Sequence, residues 1–125
     1  MCDDFTTIYY DGVAQEPIPG TDDWNESAIS EIPTSTKEVM IKCVNPRTEY
    51  ENGIKAQILD GAGKIVSQTG KSWQCSTNAN SGFKPATIEE GMHTDWGSKG
   101  GPGSVIWTSS TEDDTAYCKT SISGR

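Results

Sequence analysis

The sequence predicts an all-β fold, two antiparallel sheets packed as a sandwich. Three observations carry that prediction. No stretch keeps helical spacing of its apolar residues for the length of a helix. Short β-branched and aromatic runs occur instead, each bounded by Gly, Pro, Asn or Asp. The chain has 125 residues and is 33% hydrophobic, which suits one domain, residues 1–125, with a thin core.

The elements follow in order. "FTTIYY" (5–10) is rich in strand-forming residues, "DG" (11–12) supplies a turn, and "VAQE" restarts a strand. "PIPG" (17–20) breaks the pairing. "KEVMIKCV" (37–44) is the most apolar strand, with Val39, Ile41 and Cys43 on one face. "IKAQILD" (54–60) and "KIVSQTG" (64–70) flank "GAG", a hairpin loop with glycine where positive φ is needed. "SWQCS" (72–76) follows. "SVIWTSS" (104–110) and "TAYCKTSIS" (115–123) are expected to close the chain as a hairpin across "TEDD". That makes about eight short strands at sandwich spacing. Between Ser76 and Ser104 lies a long irregular connection, and "ATIEEGM" within it reads as a helical turn or a short strand.

Net charge is −8. Nucleic acid as a partner is disfavoured, because binding phosphate needs a basic face. An anionic membrane surface is disfavoured for the same reason. No apolar run is long enough for a membrane span. Neutral sugars, cations and basic proteins remain.

The cysteines number four, at Cys2, Cys43, Cys75 and Cys118, an even set without a CxxC spacing. Three pairings are open to them. "WNES" offers a glycosylation acceptor at Asn25. No secretory apolar stretch precedes Cys2, which leaves either a cytosolic protein or one whose leader has been removed; the even cysteine set, with the Asn25 motif, favours the second, a mature extracellular domain held by two disulfides.

"IYYDG" (8–12), "WQC" (73–75), "PATIEEG", "DWG", "SVIWTSS" and "YCK" (117–119) form an ordered pattern. It resembles the small extracellular jelly-roll domains of the galactose-binding-like superfamily, from about residue 5 onward. Those domains open on a "VYVDG" hairpin and carry Trp-Lys-Cys and Tyr-Cys-Arg strands near their end. Lys119 and the insert "NPRTEYENG" depart from the pattern. The resemblance implies a jelly roll in which Trp73 fills the space between sheets and Cys75 pairs with Cys118. Cys2 and Cys43 remain as the second pair. It also raises the expectation of a structural calcium. It does not choose among lectin-like, adhesive and appended modules.

For catalysis, any base of a triad must be His93, the single histidine, and no G-x-S-x-G elbow is present. Adjacent carboxylates such as Glu89 and Glu90 are ordinary in so acidic a chain. The expectation is a non-enzymatic protein.

A sugar needs an aromatic platform and short polar groups around it. "MHTDWGSKGGPG" supplies Trp96, Asp95, His93 and Lys99, and Asn78 and Asn80 share the same long connection. The competing reading makes Trp96 a plug at one end of the sandwich. Trp73 and Trp107 sit inside strands and read as core; Trp24 has no assignment. For calcium, the acidic candidates are Asp22, Asp23, Asp113 and Asp114, with "CDD" near the start; the competing reading is acidic turns that keep the protein soluble.

The function expected is thus a secreted lectin-like recognition module binding glycans. The alternative is an extracellular adhesive or matrix protein whose acidic surface binds calcium or mineral. A receptor- or inhibitor-type protein module is a third class.

Overall fold

The computed structural model describes residues 5–15, 31–44, 53–89, 101–109 and 114–122. These residues contain strands and turns and no helix. The strands are β1 (Phe5–Tyr10), β2 (Val13–Ala14), β3 (Glu38–Val44), β4 (Gln57–Leu59), β5 (Ile65–Gln68), β6 (Gln74–Ser76), β7 (Lys84–Pro85), β8 (Thr87–Ile88), β9 (Ile106–Trp107) and β10 (Thr115–Ser121).

Six of them form one antiparallel sheet in the order β2-β1-β3-β10-β6-β7. β4 pairs with β5, and β8 with β9, as two-stranded ladders. The hairpin from β1 to β2 turns at Asp11 (φ 50°) and Gly12 (φ 83°), two positive φ values in succession. Aspartate tolerates that region because its side chain can bond locally. Here Asp11 Oδ1 accepts the backbone N–H groups of Lys37 (3.0 Å) and Glu38 (2.9 Å), pinning the turn to the start of β3.

The two ladders are stitched to each other. Ile54 and Ile106 exchange backbone hydrogen bonds of 3.0 and 2.9 Å. Thr69, buried at the end of β5, receives the Ser104 N–H at its carbonyl (2.9 Å) and donates its hydroxyl to the Ser104 carbonyl (2.6 Å). Gly103 lies tight against this junction. A Cβ there would meet Thr69 O at 2.7 Å and Thr69 N and Oγ1 at 2.9 Å. Gly103→Ala is expected to lower stability by roughly 1–3 kcal/mol through overpacking, read from the urea midpoint. Gly61→Ala, where a Cβ meets nothing within 4 Å, is the control and should stay within about 0.5 kcal/mol.

The core draws on every layer. Val39, Ile41 and Cys43 of β3, Ala116 and Cys118 of β10 and Cys75 of β6 pack in one cluster with Ile54, Ile58, Trp73, Ile106 and Trp107. Trp73 and Trp107 are both fully buried, as expected; Trp107 sits in β9, whereas Trp73 lies in the bend just before β6. Trp73 Nε1 donates to Ser67 Oγ at 3.2 Å. Cys75 and Cys118 face each other across β6 and β10 and are joined by a disulfide, their Cα atoms 4.1 Å apart. Of the other expected pair, Cys43 is buried in the core, while Cys2 lies outside the described residues.

One expectation is corrected and one open alternative is settled. β9 does not pair with β10. It pairs with β8, while β10 enters the large sheet between β3 and β6. Nearness in sequence suggested a hairpin, but the alternation of β10 matches the buried face of β3. Within the connection between Ser76 and Ser104, β8 is the short strand that "ATIEEGM" left open, and β7 precedes it. Both edges of the large sheet are blunted: β7 contains Pro85, which has no N–H to offer, and Gln15 Nε2 donates to the Val13 carbonyl at 2.8 Å.

Candidate functional site

β3 and β10 alternate strictly, and register sorts their side chains. Inward go Val39, Ile41, Cys43, Ala116 and Cys118, all buried. Outward go Glu38, Met40, Lys42, Val44, Thr115, Tyr117 and Lys119. Antiparallel partners share a face, so Tyr117 stands opposite Lys42, Thr115 opposite Val44 and Lys119 opposite Met40.

Contacts on this outer face tie aromatic rings to cations. Lys42 Nζ lies 5.6 Å from the centroid of the Tyr117 ring. Tyr9 on β1 reaches to 6.5 Å from Tyr117, the two rings tilted by 49°. Met40, on the strand between them, is buried although it faces outward. Farther along, Lys119 Nζ sits 4.0 Å from the centroid of Phe83 and 3.9 Å from Glu38 Oε2. Distances of this order give a cation–π attraction of about 0.5–1 kcal/mol at exposed sites.

At one end of the face a cleft of about 630 Å³ opens, lined by Lys42, Val44, Thr77, Asp114, Thr115 and Tyr117. Thr115 Oγ1 donates to Asp114 Oδ1 at 3.2 Å. The cleft thus offers a cation that donates, a carboxylate that accepts, two threonine hydroxyls and a phenol that do both, and the ring of Tyr117. Such a set orients a ligand bearing several hydroxyl groups. For calcium it is poor: a hard cation takes six to eight oxygens, and no group of three metal-ligating side chains exists among the described residues. Burial pushes the Glu89 carboxyl above its ordinary range, but Glu89 follows β8 and is not a cleft residue.

Of the residues singled out by sequence, Trp96, Asp95, His93 and Lys99 lie outside the described residues, as do Asn25, Asp22, Asp23 and Asp113. Asp114 is in the cleft wall. Asn78 and Asn80 sit in the turn that follows β6. The Asn78 N–H donates to Ser76 Oγ (3.0 Å), and Asn78 Oδ1 accepts the Asn80 N–H (2.8 Å). Ser76 Oγ donates to the Ser81 carbonyl (2.6 Å). Asn78 therefore shapes the turn that begins at Thr77, itself a cleft residue.

Sequence reasoning passed over Lys42 and Tyr117. The signal was there: in "EVMIKCV" and "TAYCKTS" each position between two core residues holds Met, Lys or Tyr, so one strand face is apolar and the other aromatic and cationic. No protein-family model matches this chain, and neither a curated protein nor a solved structure matches it.

Proposed function

We propose that this chain is a secreted, non-enzymatic recognition module that binds glycans in a lectin-like manner, at the cleft beside Tyr117. One observation carries the reading: a ring, an ammonium, a carboxylate and two hydroxyls converge on one open cleft. Sugars present C–H faces to stack on a ring and hydroxyls that both donate and accept.

The scaffold in this reading is a two-sheet jelly roll of the galactose-binding-like kind. Its support is the core cluster, which takes side chains from the large sheet and from both stitched ladders. Cys2–Cys43 is its second disulfide, and the glycine-rich loop with His93, Asp95, Trp96 and Lys99 is its second candidate surface. A matrix protein that binds calcium through Asp22, Asp23, Asp113 and Asp114 is the competing reading, favoured by the net charge of −8.

A glycan array probed with and without calcium separates them. The wild-type protein is expected to bind a restricted set of neutral glycans in both conditions. Tyr117→Ala, checked for folding by circular dichroism, should weaken that binding by roughly 1–3 kcal/mol, as truncation of an aromatic anchor does, and Asp114→Asn should weaken it as well. If Trp96→Ala abolishes binding while both cleft variants bind normally, the site is the loop and not the cleft. If no glycan binds and calcium binds weakly at many places, the matrix reading holds.

A further inference from the structure

We infer that the ligand is a neutral oligosaccharide bound as a single soluble chain, running from the cleft across the outer faces of β10 and β3 toward Tyr9. This rests on the glycan reading above and adds the length, charge and physical state of the ligand.

Length comes from spacing. Thr115, Tyr117 and Lys119 project from one face of β10 at about 6.8 Å per step, twice the antiparallel rise per residue. The cleft takes in the first two of these. Aromatic surface then continues beyond it at Tyr9, 6.5 Å from Tyr117, while the Phe83 ring on the other side of β10 is covered by the Lys119 ammonium. A single sugar ring would use the cleft and leave that surface idle.

Charge comes from balance. The chain is strongly acidic, with a net charge of −8, yet this face carries both signs. Lys42 and Asp114 line the same cleft, and Lys119 pairs with Glu38. A polyanion would meet Asp114 and Glu38, and a polycation Lys42 and Lys119. A chain of hydroxyls meets donors and acceptors in turn and leaves no charge opposed.

Physical state comes from ring geometry. The flat surface of a crystalline polysaccharide is matched by rings lying in one plane. Tyr9 and Tyr117 are inclined at 49° to each other. That suits a chain that twists between successive residues.

The test is calorimetric titration of the intact protein with neutral gluco-, manno-, galacto- and N-acetylglucosamine-based oligosaccharides, from the monomer to the hexamer. Oligogalacturonates and heparin fragments serve as anionic probes, and crystalline cellulose and chitin as insoluble ones. In one neutral series affinity is expected to rise about tenfold from monomer to trimer. Tyr9→Ala should bring the ratio of trimer to monomer affinity down to about one, and Tyr9→Phe should keep that ratio. If Tyr9→Ala does not fold, Tyr9→Leu, which keeps the bulk and loses the aromatic face, takes its place in the same comparison. Affinity independent of length would overturn the inference and leave the glycan reading standing. So would a preference for the anionic probes, or binding confined to the crystalline ones. Failure of the wild-type protein to bind any carbohydrate would overturn the glycan reading itself, and the inference with it.

Discussion

Replacing Trp73 by alanine is expected to destabilise the fold by roughly 3–5 kcal/mol, the range for emptying a buried aromatic site. The ring is fully buried, its Nε1 bonds Ser67 Oγ, and its backbone is held at both ends. Trp73 N–H donates to Gly70 O at 3.1 Å, and the Trp73 carbonyl accepts the Ala86 N–H at 2.8 Å. Removing the side chain therefore opens a cavity that the backbone is not free to close. Trp107 makes the informative contrast. It is equally buried, but its Nε1 has no hydrogen-bond partner among the described residues. A buried N–H without a partner costs about 1–3 kcal/mol, so Trp107→Phe gives up volume but sheds that cost. It should lose less than Trp73→Phe, which gives up the same volume and also the bond to Ser67 Oγ. Urea denaturation of the two variants decides it. Equal losses would show that the indole N–H of Trp107 is satisfied after all.

The second large effect is expected at the disulfide. Cys75 and Cys118 are 43 residues apart in sequence. Closing a loop of that length restricts the unfolded chain by about 4 kcal/mol in the chain-entropy account. The variant Cys75→Ala/Cys118→Ala should lose most of that, because both sulfurs are in the core and their removal also leaves a small void. A non-reducing peptide map of the wild-type protein checks the premise, with Cys2–Cys43 expected as the other linked peptide. A peptide linking Cys43 to Cys75 would contradict the register of β6 on β10.

Much of this architecture is written in two-residue periodicity. β1 was legible in its β-branched and aromatic residues, β3 in the apolar face of Val39, Ile41 and Cys43, and the β4–β5 hairpin because glycine marks its turn at Gly63, where φ is 83°. The disulfide was reached through a resemblance between "WQC" and "YCK" and a known family pattern. It is realised because these segments are adjacent strands in register. The partner of β9 was not legible. Ile106 and Trp107 are apolar on both sides, so alternation gives them no direction, and a long-range partner at Thr87 and Ile88 leaves no local signature. The candidate site was half legible. Trp96, in a glycine-rich loop of the kind that carries function, lies outside the described residues. The cleft uses the outward positions of central strands, where Lys42 and Tyr117 look like ordinary solvent-facing residues until register sets them side by side.

Strand order has a consequence for synthesis. β10 is the last strand along the described chain, yet it lies inside the sheet, between β3 and β6. On a ribosome, β1, β2 and β3 emerge early and can pair locally. β6 and β7 emerge later, and no strand pairing joins the two groups directly. Until residues 115–121 leave the exit tunnel, β3 presents an open edge and Cys75 has no Cys118 to meet. The nascent protein therefore waits as two unjoined fragments of sheet, and docking them demands closure of long loops, which is slow. In that interval its thiols and edges are open to wrong partners. Yield from cell-free synthesis should accordingly depend on thiol–disulfide isomerase added while translation proceeds, and far less on the same isomerase added once native protein has formed.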